Sequence, residues 1–235
     1  KEEYSKYMPY LKSLAKIYQH GKLETPPGFW SSMELFFKGK TNTLAFFYYS
    51  GKSSLRWTKY FKFLGRSVLN ILINLQRLLK GEQLFLIHNI PLDRLYLFDT
   101  VAKKPFHKGI GIEYTEIGEL DRLAHYYGTK SIEVKKYLLK LDKKLRRIKF
   151  DVLLSDHGMM DVKEIISVPK TKICFIDSTM ARYWFDKPKL PLNKGKLIKA
   201  DRKFGHTIFL ANPGILILPN YWQGSEPIKA MHGYD

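Results

Sequence analysis

Between residues 110 and 155 the chain alternates in a way few folds tolerate. Residues 110–117 read as a strand, 131–147 as an amphipathic helix, and 150–155 as a continuous apolar strand with one charged residue. In the helix, Val134, Leu138, Leu141 and Leu145 recur at helical spacing and form one apolar stripe. A nearly all-apolar strand is the pattern of one buried on both faces. Strand, helix and strand at this spacing predict a βαβ crossover, and therefore a mostly parallel sheet in an α/β fold. Further strands are expected at 173–177, 207–211 and 215–218, the last two split by the turn Asn212-Pro213-Gly214.

The text on either side is less regular. Tyr7, Tyr10, Leu11, Leu14 and Tyr18 lie at helical spacing within 1–20, with Gly21 as a stop. The loop Thr25-Pro26-Pro27-Gly28 follows, then a stretch mixing aromatic and basic residues that ends in a helix candidate at 67–80. Residues 119–128 read as a loop or a first helical turn. A chain of 235 residues, 45% hydrophobic, supports one sizeable core, so we expect a single domain with a lid or insertion at about 42–108. The lone Cys174 excludes a disulfide framework and a multi-cysteine zinc module, and is most simply a core residue. No apolar run reaches the roughly 18 residues a membrane span needs. Forty Lys and Arg against 22 Asp and Glu give a net charge of +18, which favours anionic partners: nucleic acid, acidic lipid or a phosphorylated substrate. The chain opens on Lys1 and stops at Asp235 without a closing element, so it reads as an excerpt whose targeting signals, and hence localisation, are unknown.

Three segments place carboxylate or imidazole at or just past the end of a predicted strand or turn, where sites form in open α/β sheets. In Ser155-Asp156-His157-Gly158-Met159, Gly158 permits a sharp exit that lets Asp156 and His157 face one point. Carboxylate and neutral imidazole are zinc-type ligands, although Asp156 could equally cap a following helix. In Asp121-x-x-x-His125-x-x-Gly128, residues four apart share a helix face and could bind one cation, or form an ordinary surface pair. The third is Met231-His232-Gly233-Tyr234-Asp235, where His232 is a ligand or a solvated loop residue.

Taken together, the order and spacing of these motifs resemble the alkaline phosphatase superfamily, in particular its type I phosphodiesterase/nucleotide pyrophosphatase branch. The resemblance runs from about Met8 onward and is poor over 40–110. It implies an alkaline phosphatase-like central sheet flanked by helices on both faces, with its first strand and the metal-binding Asp that ends it lying upstream of Lys1. It further implies two divalent metal ions, most simply zinc, with manganese and other divalents open. One would be held by Asp121, His125 and His232, the other by Asp156, His157 and the nucleophile Thr25. Thr25-Pro26-Pro27-Gly28-Phe29-Trp30-Ser31 resembles the family's nucleophile loop, with Ser31 or Ser32 in reserve, and Asn42 stands where a phosphoryl-binding Asn is found. Cys174 lacks the Cys-x-Pro-x-Arg setting of the superfamily's sulfatases.

The expected activity is hydrolysis of phosphate diesters or pyrophosphates through a phospho-enzyme on Thr25, with a nucleotide or other small phosphodiester as substrate and no protein partner inferred. A monoesterase or mutase-like phosphotransferase would use the same residues. A basic nucleic-acid-binding module without catalysis would rest on the net charge and the aromatic-basic stretch between Phe46 and Lys62. Contact with an acidic membrane surface through 67–80 is a further expectation.

Overall fold

A computed structural model of the chain describes residues 6–22, 117–155, 157–200, 202–220, 223, 225 and 227–234, with the backbone of two short strands, β1 (Phe47–Tyr49) and β2 (Leu95–Leu97). Thr25, Ser31, Ser32, Asn42, Asp156, the helix expected at 67–80 and most of the strand expected at 110–117 lie outside the described residues.

Three helices form one layer. In α1 (Pro9–Ile17), proline occupies the first helical position, where its missing N–H costs nothing. The helix at 131–147 is α3 (Ile132–Leu145), started by Ser131, whose Oγ accepts from the Val134 N–H at 3.2 Å, and ended by Lys143 and Lys144. The segment 119–128 is a full helix, α2 (Glu119–Tyr127), rather than a single turn. Ala124, Val134, Leu138, Leu141 and Leu145 bury the common face of α2 and α3, with Met8, Tyr10 and Leu11 brought in by α1. Met8 gives α1 no side-chain cap. Asp142 of α3 supplies one from across the layer: its two oxygens accept from the N–H groups of Tyr10 and Leu11, both at 3.0 Å.

The second layer is mostly antiparallel. Strands β5 (Cys174–Ile176), β6 (Met180–Tyr183), β7 (Gly195–Leu197) and β8 (Thr207–Ala211) form a sheet in the order β5-β6-β8-β7, every pairing antiparallel. Along β8 the side chains alternate between two buried clusters: Phe209 and Ala211 join Cys174, Ala181 and Tyr183, while Ile208 and Leu210 join Met180 and Phe204. Cys174 is a core residue, as its setting predicted. A Cβ on Gly195 would collide with the Leu210 carbonyl and the Phe209 ring, so glycine is what lets β7 approach β8. The turn after β8 leads into β9 (Ile215–Ile217), which pairs in parallel with β4 (Glu164–Ile166). Two shorter strands, β3 (Met160–Asp161) and β10 (Ala230–Met231), pair antiparallel.

The fold is thus mixed α/β, with helices and several small sheets. Two expectations are corrected. No large parallel sheet occurs among the described residues, where β4–β9 is the single parallel pair. The βαβ crossover also fails at its second strand: 150–155 is irregular, with Val152 60% and Leu153 41% exposed. An apolar run becomes a strand only when neighbours take its N–H and C=O groups, and no described strand runs beside this one.

Candidate metal centre

The helical layer and the sheets meet where α2, β3 and β10 converge. Asp121 and His125 stand four residues apart on α2 and therefore share a face, with His125 Nε2 3.4 Å from Asp121 Oδ2. The helix ends at Gly128, whose φ of +88° favours glycine and whose N–H closes the last turn on the Ala124 carbonyl. Directly after it, the Thr129 N–H donates to Asp161 Oδ1 on β3 at 2.6 Å, which ties the end of α2 to that strand.

Register does the rest. Because β3 and β10 run antiparallel with Met160 opposite Met231, the loop leading into β3 is carried alongside the chain leaving β10, and one residue of each comes together. Those residues are His157 and His232, whose rings stack at 3.6 Å between centroids and 11° between planes. The backbone N–H of Lys229 donates to the His125 carbonyl at 2.9 Å, and this fastens β10 to α2. Thr179, in the buried turn between β5 and β6, donates its hydroxyl to the Gly233 carbonyl at 3.1 Å and steadies the residue after His232.

Asp121 is the common point. Its Oδ1 lies 3.7 Å from His232 Nε2 and 3.8 Å from His157 Nε2. The donor atoms of Asp121, His157 and His232 all lie within 4.8 Å of one another, which is the reach of a single metal ion. Oδ1 is buried and accepts no hydrogen bond from the described residues, an expensive state for a carboxylate oxygen unless a cation completes it.

Two of the imidazoles are oriented from behind. His125 Nδ1 sits 2.8 Å from the Ala230 carbonyl, and His157 Nδ1 sits 3.0 Å from the Gly158 carbonyl. A carbonyl only accepts, so each Nδ1 carries a proton and Nε2 is the ring nitrogen presented to Asp121, the one that would ligate a metal. Outer partners of this kind fix the tautomer of histidine ligands.

The charges fit the same picture. Burial alone would raise the Asp121 carboxyl, but the hydrogen bond and charge of His125, followed by His232 and His157, outweigh it and hold the group below the ordinary carboxylate range. Burial opposes charging His125, yet Asp121 and the Ala230 carbonyl lift its pKa above the usual imidazole value. Burial and then the neighbouring His157 press His232 down to about 2, which Asp121 only partly offsets. His232 is therefore a neutral imidazole, the form that ligates metals.

The structure brings together Asp121, His125, His157 and His232, although the sequence reading divides them between two metal ions. His157 lies as near Asp121 as His232 does. The supporting residues Asp161, Thr129 and Thr179 carry no motif, and only the β3–β10 register reveals them. Compared with known proteins, the chain matches no protein family, no curated sequence and no solved structure.

Proposed function

We propose that this chain is a metal-dependent phosphoesterase of the alkaline phosphatase superfamily, acting on phosphate diesters or pyrophosphates. The observation that carries the reading is the convergence on Asp121 of histidines from three separate motifs, around a buried carboxylate oxygen that accepts no hydrogen bond from the described residues. An all-Asp/His donor set suits zinc first and manganese next. Asp121, His125, His157 and His232 would hold the ion or ions, with Asp156 beside His157 by sequence. Bound divalent cations would supply electrostatic stabilisation of the attacking and leaving oxygens of an in-line phosphoryl transfer. On this reading Thr25 attacks phosphorus and carries the phosphoryl group before water releases it.

The test strips the protein of metal with a chelator, restores zinc or manganese, and follows hydrolysis of an aryl phosphodiester alongside the matching monoester. Activity lost on stripping, regained on metal addition and abolished by Thr25→Ala supports the reading. Full turnover after complete metal removal overturns it, and a monoester preference moves the chain to the phosphomonoesterase or phosphotransferase side of the superfamily.

A further inference from the structure

We propose that the solvent face of α3 docks this protein on an anionic phospholipid surface. The buried stripe of α3 is Val134, Leu138, Leu141 and Leu145. At about 100° per residue the opposite face is Ile132, Lys136, Leu139, Lys140, Lys143 and Arg147, all exposed. Four cations line that face, and Glu133, at its edge beside Lys140, is the one carboxylate of α3 that adjoins it. Asp142 is turned inward to cap α1, and Glu119, which meets Lys140 at the rim, is taken up by Arg122 through two bonds of 2.9 and 2.6 Å.

Two aliphatic side chains, Ile132 and Leu139, run along one edge of this row of cations, with Lys135 on their other side. Ile132 is 57% and Leu139 44% exposed, two turns apart and flanked on both sides by lysine. Charge alone would suit any polyanion. A nucleic-acid backbone offers nothing for two exposed aliphatics to enter, whereas a helix lying in a bilayer surface buries its central apolar groups while its lysines reach outward to phosphate. The arrangement therefore favours an acidic membrane surface, and the net charge of +18 draws the protein toward it before contact.

The experiment is co-sedimentation of the full chain with phosphatidylcholine vesicles, with and without phosphatidylserine, in parallel with binding to generic duplex DNA. Binding is expected to require phosphatidylserine and to weaken as salt rises. The triple variant Lys136→Gln, Lys143→Gln, Arg147→Gln is expected to lose about 100-fold in vesicle affinity. The pair Ile132→Ser, Leu139→Ser, which leaves the charge unchanged, is expected to lose about tenfold for vesicles and nothing for DNA. All five positions are exposed, and circular dichroism verifies that each variant folds. No binding to acidic vesicles, or binding that both variants keep, overturns the proposal. Tight DNA binding that competes the vesicles off and ignores the serine pair assigns the face to nucleic acid instead, and likewise overturns it.

Discussion

Two carboxylates on neighbouring helices, Asp142 on α3 and Asp121 on α2, have opposite surroundings. Asp142 is 2% exposed and spends its oxygens on two backbone N–H groups at the start of α1, with Arg146 4.0 Å away. Asp121 is half-open, faces three imidazoles, and keeps a buried oxygen that accepts no hydrogen bond from the described residues. One is satisfied by the fold itself; the other, on the proposed reading, is completed by a cation. A carboxylate completed by backbone donors is structural, whereas one left short among lone-pair donors is poised for a cation.

The sharpest way to break this contrast is to exchange the consequences. Asp142→Ala should cost about 3 kcal/mol of stability, because two N–H groups of α1 lose their acceptor, and should leave zinc affinity within about twofold. Urea unfolding and isothermal titration with zinc measure the two. Asp121→Asn should do the reverse, with zinc affinity falling about 100-fold or more while metal-free stability moves by less than about 1 kcal/mol. Equal stability losses in both variants would erase the distinction.

A pH titration sharpens it further. His232 takes a proton at about 2 when folded, against 6.5 for an ordinary histidine. Below 6.5 the unfolded chain therefore gains a proton that the folded chain refuses. The metal-free protein should lose stability as pH falls from there, by up to about 1.4 kcal/mol per pH unit. His125, whose pKa is raised, acts in the opposite sense, but its contribution is lost as pH rises above the ordinary imidazole value, so the loss just below 6.5 belongs to His232, joined in the carboxylate range by Asp121, whose pKa is lowered. Above the ordinary carboxylate range, urea midpoints against pH for the wild type and His232→Gln should show the slope only in the former. The smallest effect is expected from Thr179→Val, which removes the hydroxyl bonded to the Gly233 carbonyl: about 1 kcal/mol in stability and a few-fold in zinc affinity.

Local features were legible in the sequence. The stripe of α3 and the i, i+4 placement of Asp121 and His125 follow from helical geometry alone. Pairing was not legible, because it depends on residues far apart in the chain. Residues 150–155 carry a strand pattern but have no described strand beside them, while β6 hides behind a charged residue. Arg182 is 1% exposed there, 3.9 Å from Asp177 Oδ2 and 5.3 Å from the Phe175 ring centroid, a setting no composition rule anticipates. The site divides in the same way. The ligand types and their order stand in the motifs, but the meeting of His157 with His232 comes from two-residue strands too short to announce themselves.

The Asp142 cap also has a consequence in time. A nine-residue helix is marginal alone in water, and α1 receives acceptors for two of its first N–H groups only from a residue 132 positions later than Tyr10. At ribosomal rates of about 5–20 residues per second, the α1 segment waits on the order of ten seconds before its partner is made. During that interval its tyrosines and leucines are open to chaperones and to neighbouring chains. The Asp142 cap on α1 can form only after α3 has been made, although α1 is translated before α2 and α3.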